Sequence, residues 1–162
     1  MWAHQHYGII PDIVCFGKKT QVCGIMATRR LDESKVNVFN TSSRINSTWG
    51  GNLVDMVRSQ RYLEIIEKEK LVKNAEKVGK YLLTELRAIE DPDIKNIRGL
   101  GLFCAFDLKS KEERNQFIKG CHKEGLLILG SGEKSVRFRP SLNFSKQDVD
   151  QAIKLILKVR KG

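Results

Sequence analysis

Residues 16–24 read FGKKTQVCG and set Lys18 and Lys19 between two apolar runs, Ile13-Val14-Cys15-Phe16 before them and Val22 to Ala27 after. Pro11 restricts the backbone ahead of the first run and Gly17 ends it, so residues 12–16 read as a short buried strand and 22–28 as another. Lys18 then occupies a strand-to-strand connection at the end of a buried element. The same dilysine also fits an ordinary exposed turn, and the local pattern leaves both open.

The 162 residues are 41% hydrophobic and 30% charged, which suits a globular chain with one sizeable core or one core plus part of another. No run of about eighteen apolar residues marks a transmembrane helix, and the start, Trp2-Ala3-His4-Gln5-His6, has neither the basic nor the apolar region of a secretory signal. Cys15, Cys23, Cys104 and Cys121 form no CxxC pair; they read as reduced core thiols of a cytoplasmic protein, three of them in apolar runs with strand character. No zinc site is expected, since His4 and His6 alone are a poor ligand set. The net charge of +10 raises nucleic-acid binding. Basic and acidic residues are interleaved, however, as in Glu67-Lys68-Glu69-Lys70, which is the pattern of a solvated helix face.

Downstream of the lysines, residues 37–52 (NVFNTSSRINSTWGGN) lose all apolar periodicity and read as a long loop. Residues 52–88 carry three- and four-residue apolar spacing and read as two helices divided near Glu69-Lys70, ended by Asp91-Pro92-Asp93. Beyond them the reading is a strand over 97–108, a helix over 111–125, a strand over 126–129 with a turn at Gly130-Ser131-Gly132, a strand over 135–138, and a helix over 145–161 with Ser145 as N-cap ahead of Asp148. That order suggests an α+β sandwich with its own core. The N-terminal strands are too few for a self-sufficient domain, so the expected division is 1–90 as part of a larger domain with long connecting helices and 91–162 as a small α+β domain.

Three places carry chemistry. A lysine amine held by burial and a neighbouring cation in its neutral form is a nucleophile able to form a Schiff base, above all with pyridoxal phosphate; Lys18 has Lys19 and apolar flanks around it. Ser47 and Thr48, with Gly50 and Gly51, stand at the start of a helix, where free backbone N–H groups suit a phosphate, although simple capping by Ser47 or Thr48 explains them as well. Arg137 and Arg139, two apart on a strand, face one side and suit a bidentate carboxylate clamp, or equally a solvent-facing edge.

Taken in order, PDIVCFGKK, NSTWGGN, GLGLFCAFDL and VRFRPSL resemble the class III aminotransferases, fold-type I α/β enzymes dependent on pyridoxal phosphate, over essentially the whole chain. The strings FGKKTQVCG, SRINSTWGGN and RFRP are most similar to members that act on L-lysine. The resemblance implies the C-terminal part of the large domain followed by the small C-terminal α+β domain. It implies that Lys18 bonds the cofactor and shuttles a proton, that Thr48 reaches across a homodimer interface to the partner's cofactor phosphate, and that Arg137 pairs with the substrate α-carboxylate. Arg44 and Asn46 would line the substrate side of that interface, while Arg139 matches a position that varies in the family. The implied reaction moves the ε-amino group of L-lysine to 2-oxoglutarate, leaving glutamate and a semialdehyde that cyclises; L-ornithine and 4-aminobutyrate are the alternative donors.

The family's aspartate for the pyridinium nitrogen and its ring-stacking aromatic have no match here, Asp12, Asp32 and Asp55 being wrongly placed. The expectation is therefore that these residues alone turn over little or no substrate, and that strands 12–28 keep unpaired edges and exposed apolar faces while the part from about Ile97 stays folded. A non-catalytic, basic, dimerising module for an acidic partner or RNA is the competing reading.

Overall fold

A computed structural model describes residues 1–45, 48 and 51–161. By compactness the chain divides into two units, Met1–Glu69 and Lys70–Gly162. Every buried apolar residue among those described lies in the second unit, between Val78 and Ile156.

In the first unit, β1 (Ile13–Phe16) and β2 (Gly24–Ala27) form an antiparallel hairpin in which Phe16 stands opposite Gly24. A Cβ on Gly24 would lie 2.4 Å from the Phe16 ring, so glycine there is what lets the ring lie across the partner strand. The Trp2 ring lies tilted against Phe16, with ring centroids 6.4 Å apart. The strands are not buried as the apolar runs suggest: Ile13, Cys15 and Met26 are exposed. A two-stranded ribbon needs a further layer to cover its faces, and no described element covers them. A short 3-10 turn, Arg29–Glu33, follows. The loop after it is organised by Asn37, whose Oδ1 accepts from the backbone N–H of Phe39 and Asn40 at 3.0 and 3.2 Å. Helix α1 (Leu53–Lys68) closes the unit, with Leu53, Val54 and Val57 exposed along it.

The helix break falls where the sequence places it. Lys70, in a left-handed conformation at φ +53°, separates α1 from α2 (Leu71–Arg87). The second unit continues with β3 (Lys95–Leu100), β4 (Phe103–Asp107), α3 (Lys111–Lys123), β5 (Leu129–Ser131), β6 (Ser135–Arg137) and α4 (Lys146–Lys161). The sheet is antiparallel throughout, in the order β3-β4-β6-β5. Cys104, Phe106 and Val136 on its inner face meet Leu82 and Leu86 of α2, Phe117 and Cys121 of α3, and Val149 and Ile156 of α4. The rings of Phe106 and Phe117 meet edge to face, 5.9 Å apart.

Two sequence readings need correction. The run 97–108 is a hairpin rather than one strand, because Gly101, at φ +55°, takes a left-handed conformation that turns the chain back on itself. The strand expected at 126–129 falls at 129–131, so Gly130 and Ser131 are paired and the turn sits at 132–134; a Cβ on Gly130 would meet the Arg114 guanidinium at 2.7 Å, a close approach of the kind that places glycine within a strand. The Ser145 cap is as read. Its hydroxyl accepts from the Asp148 N–H at 3.2 Å, and Asp148 accepts from the Ser145 N–H at 2.7 Å, a reciprocal capping box.

The Gly101 turn sits directly on α2. A Cβ on Gly79 would lie 2.0 Å from the Gly101 carbonyl oxygen, a backbone atom that cannot yield alone. Gly79→Ala is expected to destabilise the second unit by about 3 kcal/mol, read as a lowered urea midpoint with the helical signal below the transition retained.

The C-terminal end of α4 is tied down by charge. Arg160, its side chain 15% exposed, donates Nε and Nη2 to the two carboxylate oxygens of Asp91 at 2.6 and 3.2 Å, and Nη1 to Glu113 at 2.7 Å. Asp93 bridges to Lys109 at 2.7 Å. One guanidinium thus joins the α2–β3 connection, the start of α3 and the end of α4, and its hydrogen bonds hold the Asp91 carboxyl below the usual carboxylate range. A carboxyl lowered in the folded state stabilises fully above its unfolded value, about 4, and loses that contribution as pH falls through the lowered value. Arg160→Met is expected to cost about 2 kcal/mol at pH 7, since it strands half-buried carboxylates. The gap from the parent chain should shrink in denaturation curves taken toward pH 3.

Candidate functional site

Lys18 begins a single 3-10 turn, Lys18–Thr20, between β1 and β2, and takes a left-handed backbone conformation at φ +57°. Thr20 closes the turn by donating its hydroxyl to the Val22 carbonyl at 2.8 Å, and the Gln21 N–H donates to the Lys18 carbonyl at 3.1 Å. The strand-to-strand placement read from sequence is therefore what the structure has. The burial is not: Lys18 is exposed, because the hairpin that carries it is itself uncovered among the described residues.

Helix α1 reaches this turn. Arg58 donates Nη1 to the Gln21 side-chain oxygen at 3.3 Å and to Asp55 at 3.0 Å, so one guanidinium joins the helix to the residue three beyond Lys18. Sequence reasoning missed both Gln21 and Arg58. Their pairing spans 37 positions, and the Asp55/Arg58 spacing alone reads as a common helix-surface ion pair.

The cap of α1 differs from the expectation. Asn52, rather than Ser47 or Thr48, accepts from the backbone N–H of Val54 and Asp55 at 3.0 and 3.4 Å. Thr48 lies four residues before this cap, exposed in a turn, so its hydroxyl is not used by the helix. Arg44 is likewise exposed; Asn46 and Ser47 lie outside the described residues. No hydrogen bond or ion pair joins Lys18, Arg44 and Thr48 among the described residues.

Arg137 belongs to the second unit and ends β6. It stands opposite Ala105 on one side and Leu129 on the other. Its neighbours Val136 and Phe138 are buried in the core, so alternation turns Arg137 to the outer face of the sheet. There its Nε is buried and has no hydrogen-bond partner. A buried guanidinium nitrogen without a partner is costly, and the group that would satisfy it is an acceptor, best a carboxylate. Arg139 lies past the end of the strand and is exposed, so the two arginines are not paired on one strand face.

The cysteines also divide. Cys104 on β4 and Cys121 on α3 are buried core groups, and burial pushes both thiols up to about 11. Cys15 and Cys23 are exposed, contrary to the core reading, for the same reason that β1 is. A disulfide reagent at pH 8 is expected to modify Cys15 and Cys23 promptly in the native chain and Cys104 and Cys121 only after unfolding; mass mapping of the labelled peptides distinguishes them.

Comparison with known proteins gives a consistent picture. The model of the aminotransferase class-III family matches residues 1–159. An L-lysine-epsilon aminotransferase of Mycobacterium tuberculosis is 50% identical over 155 residues, covering 94% of this chain and 34% of the relative. One from Streptomyces clavuligerus is 46% identical over 159 residues, covering 96% and 35%. A solved lysine aminotransferase structure from M. tuberculosis superposes with a TM-score of 0.92 at 47% identity, over 98% of this chain and 37% of that one. The chain thus spans about a third of the length of the curated relatives it matches. No helix among the described residues is long and apolar enough to cross a membrane.

Proposed function

This chain belongs to the class-III aminotransferases, and on that premise we propose that it supplies the amine, hydroxyl and guanidinium of an L-lysine ε-aminotransferase that uses 2-oxoglutarate as amino acceptor. The observation that carries this is Arg137: a guanidinium nitrogen buried without a partner on the open face of the small sheet. Both proposed substrates present a carboxylate, and a positioned arginine orients such a substrate for reaction elsewhere along its length.

The residues present suit pyridoxal phosphate in kind. Lys18 offers a primary amine on a turn stapled by Thr20, and Thr48 offers a hydroxyl not committed to capping. Pyridoxal phosphate, when bound, supplies an electrophilic carbon and an electron-withdrawing ring that make amino-group exchange possible. Lys18 would hold the cofactor and, once displaced by the substrate amine, carry a proton on Nζ between donor and acceptor positions. Thr48 would donate its hydroxyl to a phosphate oxygen of the cofactor in the partner subunit of a homodimer. Arg44 and Asn46 would border the substrate at that interface. Arg137 would hold the carboxylate, which for L-lysine leaves the ε-amine at the far end of a four-carbon chain. The division into part of a large cofactor-binding domain over 1–90 and a small domain over 91–162 belongs to the same proposal.

The test uses a form of this protein that turns over L-lysine. Lys18→Ala is expected to abolish amino transfer and the borohydride-fixed cofactor adduct on the peptide around residue 18. Arg137→Met is expected to raise KM for 2-oxoglutarate about 10- to 100-fold, the scale of hydrogen bonds to a charged group, with a smaller change in kcat. L-Lysine should exceed L-ornithine and 4-aminobutyrate as donor. Unchanged turnover in Lys18→Ala overturns the reading.

A further inference from the structure

The turn that carries Lys18 has a strained backbone. Lys18 and Gln21 take left-handed conformations at φ +57° and +65°, two of the five non-glycine residues with positive φ among those described. A side chain in that region crowds the following carbonyl oxygen, so the conformation persists only where surrounding bonds over-determine it.

Those bonds meet at one carbonyl. The Lys18 oxygen accepts from the Gln21 backbone N–H at 3.1 Å and from Gln21 Nε2 at 3.3 Å. Gln21 thus holds the turn twice, and its side chain can do so only while the amide nitrogen faces Lys18. The oxygen of the same amide accepts from Arg58 Nη1 at 3.3 Å. An amide has one accepting and one donating end, so a donor at Oε1 leaves Nε2 for Lys18. Arg58 is itself held by Asp55 at 3.0 Å, a half-buried carboxylate in the first turn of α1. A line of bonds therefore runs from the start of α1 through Asp55, Arg58 and Gln21 to the Lys18 backbone. Each of the side-chain bonds is exposed and modest by itself. Their effect is geometric: a rotation of the backbone at Lys18 swings every atom beyond its Cα, and an amine that must meet one carbon depends on direction.

We infer that Arg58 is a positioning residue for Lys18: by orienting the Gln21 amide it fixes the backbone conformation from which the Lys18 amine is presented. The inference rests on the reading of Lys18 as the amine that bonds the cofactor. In Arg58→Met the Gln21 amide loses the donor that orients it, and the turn keeps only the Gln21 backbone N–H.

The first measurement follows amide exchange with water by NMR in the whole 162-residue chain. In Arg58→Met the Gln21 backbone N–H should exchange about three- to tenfold faster, the scale of one hydrogen bond, while the β1–β2 ladder keeps the parent rates. Gln21→Glu, which still accepts from Arg58 and offers no side-chain donor to Lys18, should match it. The double variant should add nothing to either single one, and Arg58→Lys should restore the parent rate. The second measurement uses the form of the protein that turns over L-lysine. Arg58→Met should lower kcat about three- to tenfold, with KM for L-lysine and 2-oxoglutarate within about twofold of the parent. It should also slow, by the same factor as kcat, the rate at which added pyridoxal phosphate becomes fixable by borohydride on residue 18. Should Arg58→Met fail to fold, Gln21→Glu carries both measurements. Unchanged exchange at Gln21, faster exchange spread equally over the β1–β2 ladder, additive losses in the double variant, or an unchanged kcat and fixation rate each overturn the inference. The expected exchange changes, with the cofactor fixed at a residue other than Lys18, overturn the reading of that lysine and leave the brace on the turn standing.

Discussion

Val136 is fully buried opposite Phe106, and that one cross-strand contact decides what the neighbouring residues do. With Val136 held inward, Ser135 and Arg137 must face outward, because adjacent side chains on a strand point to opposite faces. A slip of one residue would bury the guanidinium and expose the valine, so the core on the inner face specifies the polar arrangement on the outer one. The helices α2, α3 and α4 exist in this unit largely to make that inner face dry. Gly79 lets α2 approach the Gly101 turn, and Arg160 holds the end of α4 against the connection at Asp91.

The two units differ in the physical basis of their order. The second has a layered core in which sheet and helices cover one another. The first has local devices: a ring laid across a glycine, Asn37 gathering two backbone N–H groups, Arg58 reaching Gln21. Such devices set the conformation of a turn without burying it. Lys18 is accordingly placed by backbone geometry, at the head of a one-turn 3-10 segment, while the environment of its amine is left open by the residues described. The chemistry proposed for that lysine depends on an enclosing wall. The carboxylate-binding role proposed for Arg137 depends on the small sheet's own register.

Much of this was legible in the order of residues. The helix break at Glu69-Lys70, the Ser145/Asp148 cap and the strand-to-strand position of Lys18 all follow from local periodicity and capping chemistry, which act over a few residues and are written in the chain. The motifs around Lys18 and Arg137 led to the family that the comparisons bear out. Three-dimensional packing alone decided the rest. Gly101 turned one expected strand into a hairpin because α2 offers a surface for its turn. Asn52 rather than Thr48 caps α1, a choice set by where the backbone enters the helix. Cys15 and Cys23 are exposed although their neighbours are apolar, since burial needs a covering layer and apolarity only invites one. Arg137 is the clearest case: its cross-strand neighbours Ala105 and Leu129 come to it from β4 and β5 only when the sheet is assembled.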